Sequence, residues 1–277
     1  MFPYIIRLND LSIPAYPLLY GLGITVAGII LLILGSHRGY SIRKLGNLLL
    51  VLAVAIVVGG RVFFVFQYHS DFSGKWLQAL DLANGGQVFY GGLCLAIPAL
   101  IFYCRVFHLP VRDILDLVTI TAPLGLAIGR LGCFCKGCCY GKVSDLPWAV
   151  KFPKHVDITG QVVGSPVFVH QIKEKLISHL SSQSLPVHPT QVYSALASFC
   201  IFLFMLWLWK KEYVKGNLIF VYLFIYALFR FNIEFIRNNE IFFAGLTIAQ
   251  VISAAIILPY CFLYFRRYVL KRGDLNP

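Results

Sequence analysis

Arg61, Arg130, Arg230, Arg237 and Glu234 lie inside or at the ends of strongly apolar windows, where a chain tolerates charge least. An arginine at mid-membrane costs about 2.5–3.5 kcal/mol on insertion scales, so it persists when paired, when lining a wet cavity or when binding an anion. Its guanidinium stays charged and offers a planar fork of donors suited to phosphate. Arg230, Glu234 and Arg237 are spaced i, i+4 and i+7, which predicts one helical face for all three. One carboxylate cannot neutralise four guanidiniums. The surplus charge asks for an anion, and at that depth the anion at hand is a phospholipid headgroup. The plainer alternative is internal pairing through Glu234 with end residues snorkelling to the headgroups, an alternative strongest for Arg237.

A second group with chemical potential is Cys133-x-Cys135-x-x-Cys138-Cys139. Thiolates at short spacing bind zinc or iron–sulfur clusters, and His155, His170 or His188 can complete such a set only in space. On an oxidising face Cys133 or Cys135 can form a disulfide, whereas the adjacent Cys138 and Cys139 pair only with strain. Small weakly polar thiols also simply pack, the reading we favour from sequence. A thiol can also carry an acyl or glyceryl adduct during transfer, and Cys138 is the candidate for that role.

Several short motifs accompany these residues. Gly59-Gly60-Arg61, Gly91-Gly92 and Gly129-Arg130-Leu131-Gly132 put small residues near span ends, two of them beside a buried arginine. Glycine there permits close helix packing or an unwound turn whose amides meet a ligand. His188-Pro189-Thr190-Gln191 stands where a helix begins, with His188 extended before proline and Thr190 placed to cap. Trp148, in Asp145–Pro153, suits a membrane interface.

The elements that must position these groups follow from composition. Of 277 residues, 58% are hydrophobic and 13% charged. Soluble domains run at about 45–50% apolar and about 25% charged, so a water-soluble globule, a disordered chain and a small disulfide scaffold are all excluded. Crossing about 30 Å of hydrocarbon takes about 20 apolar residues. Seven windows qualify: 17–34, 48–66, 88–107, 114–131, 191–209, 218–236 and 242–265. The fold class expected is an all-α integral membrane protein. Residues 1–131 would hold four helices, 132–189 a small extracytoplasmic head, and 190–277 three helices and a tail. The first window lacks a charged leader and a cleavage site, so it reads as a retained helix.

Charge sets the orientation. Arg38, Arg43, Lys44, Arg105, Arg112, Lys210, Lys211, Lys215 and the basic residues from Arg266 onward fall on one side of seven spans, whereas the opposite short connections hold little beyond Arg7 and Lys75. That puts the N-terminus outside and the C-terminus in the cytoplasm. The net charge of +12 is then topological and does not imply nucleic acid.

With these residues in view, the chain resembles the bacterial prolipoprotein diacylglyceryl transferases. The resemblance rests on Tyr20-Gly21, Gly59-Gly60-Arg61, Gly91-Gly92 and Gly129-Arg130-Leu131-Gly132-x-Phe134-x-x-Gly137-x-x-Tyr140-Gly141. It continues through Asp145-Leu146-Pro147-Trp148-Ala149, Phe152-Pro153, His188-Pro189-Thr190-Gln191-x-Tyr193 and Arg230-Phe231-x-x-Glu234-Phe235-x-Arg237.

The resemblance implies seven spans in the bacterial inner membrane. It also implies transfer of the diacylglyceryl group of phosphatidylglycerol to the lipobox cysteine of a prolipoprotein, with glycerol phosphate released. Arg130 and Arg230 would stabilise the leaving phosphate, Tyr20 would hold the headgroup and Glu234 would orient an arginine. Arg61, Gly91, Gly92, Cys133, Cys138, Gly141, His188, Gln191 and Arg237 would line the substrate site. No metal or organic cofactor is required, and the partners are the phospholipid, the lipobox peptide and the membrane. The chain departs from the family pattern at Tyr90, where a histidine is usual; at Cys133 and Cys138, which stand for asparagine and glutamate; and at Ser194, which stands for an acidic residue. Tyr90 becomes the candidate base. Three rivals are a related transferase with another acceptor, a non-catalytic phospholipid binder or transporter, and a redox or metal sensor acting through the cysteines.

Overall fold

A computed structural model of the chain describes residues 4–8, 11–72, 88–154, 165–211, 216–239 and 241–273. Lys75, His155 and Lys215, used above, lie outside them. The chain divides into two compact units, residues 28–118 and residues 1–27 with 119–277.

The elements are mainly helical. A short antiparallel ribbon, β1 (Tyr4–Leu8) and β2 (Leu11–Pro14), precedes the first helix and adds to the all-helical expectation. The helices are α1 (Ala15–His37), α2 (Ile42–Gln67), α3 (Phe89–Val106), α4 (Val111–Lys136), α5 (Pro166–Lys173), α6 (Thr190–Lys210), α7 (Leu218–Ile233) and α8 (Ile248–Gly273). Among the described residues five helices are long and apolar enough to cross a bilayer: α1, α2, α4, α6, and α7 carried through a 3-10 turn to Ile236. At the expected third and seventh windows lie shorter apolar stretches, Tyr90–Val106 and Ile248–Phe262. Many large apolar side chains remain exposed along these helices, among them Phe66 at 80% and Phe102 at 71%, as lipid-facing positions require.

Helix ends differ from the windows read from sequence by up to eight residues (265 against Gly273 at the end of the last helix), and three of these differences change the reading. The last helix begins at Ile248 and not near 242, because Phe242–Leu246 closes a tight turn through Ala244 and Gly245, both at positive φ. Helix α4 continues past 131 to Lys136. Helix α7 ends at Ile233; Glu234–Ile236 is a 3-10 turn and Arg237 is extended. The single helical face expected for Arg230, Glu234 and Arg237 is therefore not a continuous α-helix.

In the unit of residues 28–118, α2 and α3 pack through glycines. A Cβ added to Gly91 would lie 2.5 Å from the Gly59 carbonyl oxygen and collide with Phe63, and one on Gly92 would lie 3.0 Å from the Ile56 carbonyl oxygen. Gly91→Ala is accordingly expected to force the helices apart and cost about 1–3 kcal/mol or more. The melting temperature in detergent should drop, while Gly46→Ala, whose added methyl meets nothing within 4 Å, should leave it unchanged or raised.

In the other unit, small residues bring the first half of α1 against α4. A Cβ on Gly23 would meet the Gly125 carbonyl oxygen at 2.6 Å, and one on Gly132 the Tyr16 carbonyl oxygen at 3.2 Å. Within residues 134–154 and 165–187, buried Phe152, Val167 and Val187 form a small core, flanked by Phe134, Tyr140 and Val150. Isolated bridges pair Val187 with Val143 and Val150, and Pro153 with Gln183.

Candidate functional site

The site grows from three places in one unit: the end of α4, the start of α6 and the end of α7. Helix α4 stops in a glycine C-cap. Gly137 has φ +76°, its amide donates to the Phe134 and Cys133 carbonyls at 3.2 and 2.9 Å, and the Cys138 amide donates back to Cys133 at 3.2 Å. This pattern is a Schellman motif, which characteristically brings together the residues three before the cap and two after it. Those residues are Cys133 and Cys138. Cys139 follows at φ +58°. The sulfurs of Cys133, Cys138 and Cys139 lie within 4.8 Å of one another, and Cys135 is not among them. All eight cysteines are free thiols, so no disulfide joins them.

Helix α6 clamps this turn. Thr190 is not the cap expected from sequence; the cap position is Pro189. The Thr190 hydroxyl instead donates to the Cys139 carbonyl at 2.7 Å, and the Gln191 amide donates to the Cys138 carbonyl at 2.7 Å. Gln191 is fully buried, and its carbonyl oxygen has no hydrogen-bond partner. Removing one donor leaves a buried acceptor unsatisfied, at about 1–3 kcal/mol. Thr190→Val, which keeps shape, should therefore let the turn open more often and speed maleimide labelling of Cys139 about tenfold.

The charged groups sit beside the turn. Arg230 meets Glu234 at 2.9 Å, and the Arg237 Nε lies 4.0 Å from the same carboxylate oxygen. That oxygen is in ion contact without hydrogen-bond alignment, while the other accepts a short bond from Asn239. Arg130 forms no salt bridge among the described residues; it donates to the Tyr226 hydroxyl, and its buried Nε has no partner. The buried Arg237 Nε also lacks a hydrogen-bond partner. Arg230 feels the charges of both Arg237 and Arg130. Two guanidiniums thus share the Glu234 carboxylate, and the third, Arg130, lies beside them without it.

Arg130, Arg230, Tyr226, Ser194, Ser198, Leu126 and Phe229 line a narrow cleft with no room for a free water as it stands. The Cys139 thiol is held well below its usual range. The Cys133 and Cys138 thiols donate to it, and Arg237 and Arg130 add their charge against its burial. Cys138 is pushed up by hydrogen bonding to Cys133 and Cys139 and by burial.

The remaining sequence candidates fall in distinct places. Tyr20 stacks on Tyr16 and packs its ring against Gly129, next to Arg130. Gly141 bridges Arg237, and its amide donates to the His188 carbonyl at 3.0 Å; an added Cβ would collide with His188, Ile236 and Thr190. Gly141 is thus required for close approach. His188 has a buried, unpartnered Nδ1 and lies 6.3 Å from the Tyr193 ring. Trp148 donates to the Tyr193 hydroxyl at 2.7 Å. His170 faces Glu174 at 3.4 Å and is not with the thiols.

Arg61, Tyr90, Gly91 and Gly92 belong to the other unit. There Arg61 is buried with its guanidinium 5.4 and 5.6 Å from the Phe64 and Phe72 rings, Tyr90 is half exposed, and the glycines pack on α2. Tyr226 and Ser198 were not singled out from sequence, and Cys139 was read only as one member of the cysteine cluster. The signals were present: Tyr226 precedes Arg230 by four residues, Ser198 follows Ser194 by four, and Gly137 announces the C-cap.

Comparison with known proteins places these features in context. A family model described as prolipoprotein diacylglyceryl transferase matches residues 3–266. The phosphatidylglycerol–prolipoprotein diacylglyceryl transferase of Clostridium tetani is 29% identical over 239 residues, 86% of this chain and 86% of the relative. Relatives of the same name from Aeromonas salmonicida and Bordetella bronchiseptica are 27% and 28% identical. They cover 99% and 95% of this chain, and 92% and 94% of their own lengths.

Proposed function

The chain belongs to the prolipoprotein diacylglyceryl transferase family, and we propose that it moves the diacylglyceryl group of phosphatidylglycerol onto the thiol of a prolipoprotein lipobox cysteine. The acceptor sulfur attacks the glycerol carbon that bears the phosphate. The carbon–oxygen bond breaks, its electron pair stays on the phosphate oxygen, and glycerol phosphate leaves as a thioether forms.

The observation that supports this most is the excess of guanidinium over carboxylate: Arg230 and Arg237 meet at Glu234, and Arg130 stands beside Arg230 with no salt bridge among the described residues. Negative charge develops on the departing phosphate, and donors fixed in advance toward it act strongly where water is excluded. Arg130 and Arg230 take that role. Glu234 holds Arg230 and Arg237 in position and tempers their repulsion. Tyr20, against Gly129, holds the headgroup. The cleft opens to admit it, since the resting side chains fill the space. Gly141, His188 and Gln191 are assigned to the supporting shell; for Arg61, Tyr90, Gly91 and Gly92, in the other unit, the roles named above rest on the family resemblance alone. We place the protein in the bacterial inner membrane with seven spans, the N-terminus outside and the head extracytoplasmic, in contact with the phospholipid and the lipobox peptide.

The test is an assay of purified protein with phosphatidylglycerol labelled in both the headgroup and the acyl chains, plus a lipobox peptide. Glycerol phosphate should appear in step with diacylglyceryl peptide. Binding of phosphatidylglycerol with neither product would make the protein a lipid binder, and headgroup release with the label on another molecule would change the acceptor.

A further inference from the structure

We infer that Cys133, Cys138 and Cys139 form a three-thiolate zinc site whose open fourth position receives the acceptor thiol. Binding of the metal rests on these residues alone; its use rests on the transfer reaction above.

The geometry comes first. The three sulfurs lie within 4.8 Å of one another. Tetrahedral zinc–thiolate bonds of about 2.3 Å set the sulfurs about 3.8 Å apart, so rotation about the Cys side chains closes the remaining distance. The backbone under them is already fixed. The Schellman turn sets Cys133 against Cys138, and Thr190 and Gln191 hold the carbonyls of Cys139 and Cys138 at 2.7 Å. No fourth protein ligand belongs to this group among the described residues. Three protein ligands with one position open is the pattern of catalytic zinc, not structural zinc.

Charge comes second. Arg130, Arg230 and Arg237 carry three positive charges and Glu234 one negative. Three thiolates around a divalent cation carry one negative charge. Before the acceptor binds, the sum is a single positive charge, the complement of one phosphodiester, and the bound acceptor thiolate brings it to zero. The buried Nε atoms of Arg130 and Arg237 have no hydrogen-bond partner.

Chemistry comes third. The attacking group must be a thiolate, yet the one carboxylate beside the thiols among the described residues, Glu234, is committed to arginines. A thiol that coordinates zinc gives up its proton to solvent. The bound sulfur then attacks the glycerol carbon, and the carbon–oxygen pair leaves with the phosphate. The neutral thioether product is a poor ligand and departs. Zinc changes no oxidation state.

The experiment uses the full chain purified in detergent with zinc or cobalt(II) supplied. The wild type and Cys135→Ser should retain about one metal per chain, and Cys138→Ser/Cys139→Ser should lose affinity at least about tenfold. Cobalt(II) should show thiolate charge-transfer bands. Its visible bands should shift when a lipobox peptide is added and stay fixed with the Cys→Ser peptide. Retention of metal with this shift supports the site even if no transfer is seen, in which case the transferase reading alone fails. Wild-type protein that binds neither metal, or that transfers at full rate after chelation, overturns the zinc site and leaves the transferase reading intact. Metal binding with no response to the peptide thiol overturns the role assigned to the fourth position.

Discussion

Arg130→Ala is expected to lower diacylglyceryl transfer by about two to three orders of magnitude, the scale seen when a preorganised donor to developing charge is removed. The fall should appear mainly in kcat, because the phosphate gains charge as it departs. Arg130→Lys should recover only part of it, since a lysine keeps the charge but loses the planar fork. The same substitution should behave oppositely in stability. Arg130 forms no salt bridge among the described residues, has a buried Nε without a partner and is answered only by the Tyr226 hydroxyl and the nearby thiols, and taking a charge out of water against such weak partners is a cost to folding. Alanine also suits the interior of α4. The melting temperature of Arg130→Ala should therefore stay level or rise while transfer collapses. An arginine kept for structure would produce the reverse pair of results, and kinetics beside thermal melting on one preparation separates them.

Glu234→Gln should damage both properties. Glu234 is buried, at 3% exposure, and answers two arginines at once. Its neutral isostere leaves Arg230 and Arg237 facing each other, and breaking a buried pair by losing one partner costs about 3–5 kcal/mol. Transfer should fall because the two guanidiniums move apart. Two additions identify the cause. Glu234→Gln/Arg237→Gln should regain much of the lost stability, since it removes the charge left uncompensated. Inorganic phosphate should raise the melting temperature of Glu234→Gln more than that of wild type, because an anion then fills the gap. Equal responses to phosphate would rule out this electrostatic account of Glu234.

The positions of the spans were legible because hydropathy accumulates along the chain, whatever packs beside it. All five long apolar helices fall on windows read from sequence, with ends shifted by a few residues. The last window misled because Phe242 and Phe243 are apolar yet belong to a turn, and hydropathy does not register a reversal at Ala244 and Gly245. Arg230, Glu234 and Arg237 were correctly grouped, but for an incomplete reason: Arg237 reaches the carboxylate from extended backbone paired with Gly141, not from another helical turn.

The thiols mark the boundary most clearly. Their density between 133 and 139 is plain in the sequence. Which of them meet depends on the left-handed turn at Gly137 and Cys139 and on two side chains of α6 that arrive from about fifty residues downstream. The amino-acid sequence by itself determined that this chain buries its helices in lipid and carries more guanidinium than carboxylate there, because both follow from the solvation cost of individual residues. Only the tertiary structure decided that Glu234 is shared, that Arg130 is left over, and that Cys133, Cys138 and Cys139 but not Cys135 converge, because those outcomes depend on directions in space that residue spacing does not encode.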